Sequence, residues 1–384
     1  MKRIALLGLT FADPNKGCEA LTYTFLNILR RAYQGKDIEI VCIWNSSNFG
    51  QIPEYFPELT FKAYVLNVYS VPSWIGAYKQ IKTCDCVFDG SYGDGFTGIY
   101  GTRRNFVQCL RKQLVYWAKK PLYLLPQTYG KYKHPFQNWS INLIRKASLA
   151  YARDQITAKS VGDFVKVTSD MAFGLPFDRN RFKFEKQTKK IGINVSSLLW
   201  DENTVKRFNL TVDYRKFYID LLDYLISKPE VEIHLIPHVI DDKNYASGEN
   251  DCRILDELKK TYGEKVVLAP AFKNCIEAKS YIANMDIFLG SRMHATIGAI
   301  SSGVATIPFS YCHKFEALYG NIGYPYLISA TKISTNDALK LAKEWINRPD
   351  ALKDAGNKSV AAAKEKLIDF EKDLVTSLKR LNLV

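Results

Sequence analysis

Arg292 and His294 stand two residues apart where an apolar run gives way to small residues, in Gly290-Ser291-Arg292-Met293-His294-Ala295. Met285–Leu289 reads as a buried strand, Gly290 as a turn, Ala295–Ser302 as a short helix, and Gly303 as its stop before a second apolar strand. This spacing delivers a guanidinium and an imidazole to a helix start, where unpaired N–H groups favour phosphate or carboxylate. Arg292 supplies a planar fork for bidentate pairing with either group, and His294 a ring that gives or takes a proton near neutral pH. Together they suit an anionic donor that must be protonated. The same two residues could instead cap carbonyls or pair with a carboxylate. Gly298 tips the reading toward function, because a glycine inside a helix costs about 1 kcal/mol relative to alanine and implies a close backbone approach.

Other candidates are spread along the chain. His238 follows Pro237 at an expected strand end, where its ring would face a ligand or be satisfied by loop carbonyls; His134 and His313 have less defined settings, and His234 lies inside a strand. Asn15, Gly17 and Glu19 sit where the first strand turns into the first helix, although Glu19 would equally favour the helix dipole from its first turn. Asp89-Gly90-Ser91-Tyr92-Gly93-Asp94-Gly95 is a second glycine-rich loop after a strand, without the Gly-Lys-Ser/Thr ending of a phosphate loop or the dinucleotide spacing. Its glycines fit turns, while Asp94 and, further on, Gln127 are polar candidates for contacting a ligand.

The elements that must position these residues follow from the apolar pattern. In the first half, strands Ile4–Leu9, Ile38–Trp44, Cys86–Asp89, Leu122–Leu125 and Leu149–Ala152 alternate with helices Glu19–Tyr33, Arg103–Ala118 and Trp139–Lys146. That alternation argues for βαβ units and a parallel sheet. Composition turns polar and basic around Leu175–Lys190, which reads as a linker. A second series follows: strand Ile191–Val195, helix Tyr214–Lys228, strand Glu232–Ile236, helix Cys252–Tyr262, strand Val266–Leu268, helix Cys275–Ala283 and strand Asp286–Leu289. In doubly wound sheets ligands bind beyond the C-terminal strand ends, which puts Asn194, Ser196, His238, Arg292 and His294 along one rim. Asn336–Arg380 reads as two Lys/Glu-rich helices split at Arg348-Pro349-Asp350, the first with an apolar stripe of Leu339, Ala342, Trp345 and Ile346. The expectation is an α/β chain of two doubly wound Rossmann-like domains facing a cleft, 1–178 on the acceptor side and 190–333 binding the donor, with C-terminal helices 334–384 packing back on the first domain.

Bulk properties bound the function. A chain of 384 residues exceeds one ordinary core. Eight cysteines occur without a Cys-x-x-Cys pair, which fits reduced thiols in a cytosolic protein and indicates no metal site. Met1-Lys2-Arg3 and Ile4–Ala12 superficially resemble a secretory signal, but Gly8 and Thr10 interrupt the run, and a first buried strand explains it better. No run approaches the roughly 18 apolar residues of a membrane span. The net charge of +14 points to a polyanionic surface. On a helix through 100–120, Phe106, Leu110, Leu114 and Trp117 share one side while Arg104, Arg111, Lys112, Lys119 and Lys120 fall elsewhere. The helix is either core-packed with a solvated basic back or, with Lys131, Lys133, Arg145 and Lys146, a docking surface for anionic lipid built from the basic residues of 103–146. Zinc-finger spacing, an RNP-like aromatic run and a basic recognition helix are all missing, so nucleic acid is not expected.

The signature stretch resembles that of the polysaccharide pyruvyl transferase family, in which Arg-x-His at a helix start is followed by small residues, a Gly, a Pro and Tyr-x-x-Lys. Arg292, His294, Gly303, Pro308, Tyr311 and Lys314 fill the pattern in order. Echoes extend over most of the chain, in Asn15–Leu21, Leu125–Gly130, Ala152-Arg153-Asp154, Ser169–Ala172 and Ile236-Pro237-His238. The resemblance implies a fold similar to GT-B glycosyltransferases and transfer of pyruvate from phosphoenolpyruvate, a substrate rather than a cofactor, onto two sugar hydroxyls as a cyclic ketal. It implies His294 as general acid or base, with Glu19 and Asp94 as further catalytic groups. Arg292, Ser291, the N–H groups near Ala295, Lys314, His238, Asn194 and Ser196 would hold the donor, and Asn15, Gly17 and Gln127 the acceptor. It further implies a bacterial capsule or exopolysaccharide precursor, a lipid-diphosphate-linked acceptor and a cytoplasmic enzyme peripheral on the inner membrane face. The chain departs from the family where an expected Arg gives way to Asn194-Val195-Ser196-Ser197, at Cys18, and at Gly8-Leu9-Thr10. The alternative is a GT-B glycosyltransferase whose Arg and helix start hold a nucleotide-sugar diphosphate.

Overall fold

The computed structural model describes residues 1–184, 188–201 and 206–384, so 185–187 of the expected linker lie outside the described residues. Two parallel sheets organise the chain. The first has seven strands, β1 (Lys2–Leu7), β2 (Ile38–Trp44), β3 (Thr60–Val65), β4 (Cys86–Asp89), β5 (Leu122–Gln127), β6 (Leu149–Ala152) and β7 (Lys166–Val167), in the order β3-β2-β1-β4-β5-β6-β7. The helices joining them are α1 (Lys16–Ala32), α2 (Ile52–Tyr55), α3 (Val71–Lys82), α4 (Thr102–Trp117), α5 (Phe136–Arg145) and α6 (Gln155–Lys159). β3, β7 and α3 were not legible as elements: β3 is largely exposed, β7 has two residues, and α3 starts on Val71-Pro72 behind an Ser70 cap that accepts from Ser73 N–H.

The second sheet has six strands, β8 (Lys189–Asn194), β9 (Val231–Leu235), β10 (Val266–Leu268), β11 (Ile287–Gly290), β12 (Ala305–Ser310) and β13 (Ile328–Ser329), ordered β10-β9-β8-β11-β12-β13. Helices α7 (Tyr214–Ile226), α8 (Asp251–Tyr262), α9 (Cys275–Ile282), α10 (Met293–Ser301), α11 (His313–Asn321) and α12 (Thr335–Ile346) accompany it, and α13 runs from Pro349 to Arg380. Pro349 begins α13, where its missing N–H costs nothing. The strand order reverses between β8 and β11, with Asn194 in register with Gly290. That switch point opens the crevice at which parallel α/β sheets bind ligands.

Two compact units emerge, one of 1–13, 21–171 and 363–384, the other of 14–20 and 172–362. Each has its own apolar core, around Val87, Val115 and Leu124 in the first and around Phe217, Leu289 and Phe309 in the second. These borders differ from 178 and 334. The segment 14–20 joins the second unit because Lys16 N–H donates to His238 O, Ile240 N–H to Pro14 O, and Asn15 bridges Val239. Helix α12 buries Ala338, Ala342 and Ile346 in the second unit's core, so only residues from Ala363 onward belong with the first unit. There Ser169 Oγ donates to Ala363 O and Tyr151 Oη to Asp373.

The expected apolar stripe of α4 is redistributed. Phe106 and Trp117 are 43% and 57% exposed, whereas Arg111 and Lys112 are buried. The cause is Asp89 at the end of β4, a fully buried carboxylate that draws Lys112 Nζ to 2.8 Å and accepts from Ser91 N–H and Oγ. A buried charge must be paired, and this requirement overrides the apolar periodicity of the helix. No helix among the described residues is long and apolar enough to cross a membrane.

Candidate functional site

The second unit's site grows from the ends of β8 and β11. Asn194 closes β8, and both ends of its side chain are engaged: Nδ2 donates to Ile236 O at 2.9 Å and Oδ1 accepts from Arg292 N–H at 2.9 Å. The residue expected to touch a donor is thus a clamp joining β8, β9 and the chain after β11. Ser291 is likewise engaged, its Oγ lying 2.9 Å from Tyr214 Oη and 2.6 Å from Tyr218 Oη in a fully buried network. Ser196 N–H donates to Tyr214 Oη at 2.8 Å, while Ser196 Oγ is buried without a hydrogen-bond partner among the described residues.

Arg292 is the N-cap of α10, with extended backbone, and its side chain turns toward Asp251. Nη2 lies 2.8 Å from Asp251 Oδ1 and 2.6 Å from Glu249 O, and Nε lies 3.2 Å from Asp251 Oδ1. The carboxylate-pairing reading of this arginine therefore describes its observed contacts. Burial works against the guanidinium's charge, but Asp251 outweighs it and holds the pKa above the ordinary value. Asp251 also accepts from the N–H groups of Ser197, His238 and Val239. Sequence reasoning passed over this carboxylate because it sits in the first turn of a polar helix, where an acidic residue is unremarkable.

His294 and Ala295 follow in the first turn of α10, whose N–H groups have no partner within the helix itself. The ring of His294 lies against Gly17: a Cβ built there would stand 2.2 Å from Nδ1. Close backbone approach, expected at Gly298, occurs at Gly17 instead; a Cβ at Gly298 would sit 3.8 Å from the nearest atom, Lys279 Cγ, an ordinary contact. His238 completes the cluster. It is 5% exposed, and both ring nitrogens are buried without a hydrogen-bond partner among the described residues. Burial, reinforced by coulombic coupling to His294, Arg292 and Lys16, pushes its pKa well below the ordinary imidazole range. A cavity of about 10 Å³ lies among Lys16, His238, Cys275, Lys279, His294 and Gly298. That is room for a single water-sized group.

The remaining candidates divide between the units. Glu19, 1% exposed, accepts from Cys275 N–H at 2.8 Å at the start of α9, so it serves another helix's dipole rather than only its own. Asn15 Oδ1 accepts from Gly17 N–H at 3.0 Å and thereby fixes the entry into α1. Lys314 is half-buried in the first turn of α11. Asp94 and Gln127 belong to the other unit: Asp94 accepts from Tyr100 Oη at 2.8 Å, and Gln127 Nε2 donates to Asp89 O and Leu125 O from a fully buried position. His234 is held by Tyr281 Oη and Glu232. No group of three or more His, Cys, Asp or Glu side chains placed to hold a metal ion occurs among the described residues.

Comparison with known proteins follows the same lines. The family model of the polysaccharide pyruvyl transferase matches residues 15–313. No curated protein matches the sequence. Among solved structures, UDP-GlcNAc 2-epimerase from Neisseria meningitidis bound to UDP-GlcNAc is similar with TM-score 0.62 and 10% identity, over 99% of this chain and 100% of that one. The S. aureus MnaA–UDP structure gives 0.63 and 13%, over 100% and 98%. An α,α-trehalose-phosphate synthase (UDP-forming) from Burkholderia vietnamiensis gives 0.55 and 8%, over 100% of both chains. At such identities the likeness establishes the fold, two α/β units of GT-B type.

Proposed function

From the chain's membership of the polysaccharide pyruvyl transferase family we propose that it moves pyruvate from phosphoenolpyruvate onto two hydroxyls of a sugar in a cell-surface polysaccharide precursor. The observation that carries the reading is His294 in the first turn of α10, beside the buried cation of Arg292. A proton delivered to the methylene carbon of the donor makes it a methyl group and leaves C2 electron-poor. The first hydroxyl adds to C2 and loses its proton; phosphate departs with the bridging oxygen; the second hydroxyl then adds to C2 and gives up its proton to a base or the departing phosphate, closing the ketal. His294 is the group suited to the proton transfers. The N–H groups of His294 and Ala295 and the charge of Lys314 favour the donor's carboxylate and departing phosphate. Arg292 contributes its field from behind the helix start, since Nε and Nη2 are committed to Asp251 and Glu249. In this reading the acceptor is a lipid-diphosphate-linked glycan and the enzyme works at an anionic membrane surface.

Thermal unfolding tests donor choice. Phosphoenolpyruvate at about 100 times its dissociation constant adds roughly 2.7 kcal/mol to wild type, and Lys314→Ala diminishes the shift. Stabilisation by a uridine or guanosine diphosphate sugar alone would replace this reading with a nucleotide-sugar glycosyltransferase.

A further inference from the structure

A cavity of the first unit shares no lining residue with the His294 cluster. It encloses about 560 Å³ at the C-terminal ends of β2, β3 and β4, beside the point where the strand order reverses between β1 and β4. Its chemistry is one-sided. Arg103, Arg104 and Arg111 line it, together with the amides of Asn45, Asn67 and Gln108 and the rings of Tyr69 and Tyr92, and no carboxylate is among the lining residues.

Two buried polar side chains are among the residues that line this space. Gln108 is 2% exposed, and its Oε1 has no partner among the described residues. Arg111 is 6% exposed; Nη1 donates to Tyr92 Oη at 2.8 Å, but Nε has no partner. At the mouth, the Arg103 guanidinium lies 4.7 Å from the ring centre of Tyr69 and that of Arg104 4.3 Å from Tyr100. Stacking holds both forks in place without neutralising them. Tyr92, with φ 58°, and Ser91, with φ 44°, hold left-handed backbone that non-glycine residues seldom adopt, a strain that clusters at binding sites.

We propose that this cavity binds a glycosyl phosphate: the phosphate pairs with Arg103 and Arg104, a sugar face lies on the tyrosine rings, and Gln108, Asn45 and Asn67 take the hydroxyls. As the site for the acceptor's phosphate it rests on the glycan-acceptor reading above. Forked guanidiniums match phosphate oxygens bidentately, and neutral amides beside aromatic rings match a polar ring with one apolar face.

Calorimetric titration of the whole chain with glucose 1-phosphate, glucose and inorganic phosphate, all without phosphoenolpyruvate, tests the assignment independently of the donor. The expected result is saturable binding of glucose 1-phosphate, tighter than either fragment. It weakens tenfold or more in Arg103→Gln/Arg104→Gln, and Lys133→Gln, outside the cavity, leaves it unchanged. Arg103 and Arg104 are exposed, so the variant folds, which an unchanged melting temperature verifies. Absent binding, binding indifferent to the double substitution, or inorganic phosphate binding as tightly would overturn the proposal. So would loss of binding to phosphatidylglycerol vesicles in the double variant without competition by glucose 1-phosphate, which would make the site a lipid-headgroup contact.

Discussion

Arg292 carries two demands at once, because the cation at the head of α10 is also the sole basic partner seen for Asp251 among the described residues. Removing one partner of a buried ion pair strands the other, so Arg292→Ala is expected to cost about 3–5 kcal/mol of stability in denaturant unfolding. Arg292→Ala/Asp251→Ala should recover part of that loss, and additive losses would refute the coupling. Loss of activity in the single variant therefore says little about donor contact, and Lys314 and His294 are the better probes. His294→Ala should lower kcat in an acceptor-dependent phosphate-release assay far more than it lowers stability. His238 makes stability depend on pH. Its folded-state pKa lies below the unfolded value of about 6.5, so the unfolded chain takes up a proton that the folded chain refuses as pH falls. The stability is present above about pH 6.5 and is lost below it; His238→Gln should flatten the decline, leaving the smaller part due to His234, whose pKa burial also lowers against the pull of Glu232.

At the scale of elements, the entry of α1 and the start of α10 fit together through Gly17. Gly17→Ala would drive a methyl group into the His294 ring, and kcat should fall without the loss of Arg292–Asp251 pairing; wild-type turnover would show that the ring can move aside. Helix α4 offers a different test. Lys112→Ala leaves Asp89 buried and unpaired, with an expected cost of about 3–5 kcal/mol, whereas Lys119→Ala, exposed just past the end of the helix, should stay within about 0.5 kcal/mol. Here the sequence pattern misled: apolar spacing marks which face of a helix can be buried, but says nothing about a carboxylate arriving from another strand. Most helices and strands of the second series, α11 and β13 excepted, were legible because their apolar runs are continuous and capped. Asn250, Asn274 and Asp213 each accept from an N–H of the following first turn.

The whole molecule carries a net charge of +14 and keeps exposed aromatic residues, Phe106 and Trp117, on the helix that also carries Arg103 and Arg104. Co-sedimentation with vesicles containing anionic lipid is expected at low salt and should weaken as ionic strength rises, since charges are screened over about 8 Å at 0.15 M. Trp117→Ser should leave residual binding at higher salt lower than in wild type. Equal binding to neutral vesicles would refute the electrostatic basis. Arg111 and Lys112 cannot contribute to such a surface, because both are buried.

Taken alone, the sequence determined the parallel α/β class, the succession of most strands and helices, the family, and the start of α10 as a place for Arg292 and His294. Each is a local property: apolar runs of strand or helix length, glycine stops and cap residues act over a few neighbours. Tertiary structure alone decided what those side chains meet. Asp251 lies 41 residues from Arg292, Lys112 23 from Asp89, and Cys275 256 from Glu19. It also decided that Asn194 and Ser291 are clamps, that Gly17 makes room for His294, and that 14–20 belong with the second unit. A buried polar atom takes the partner the fold brings within about 3 Å, whatever the distance along the chain.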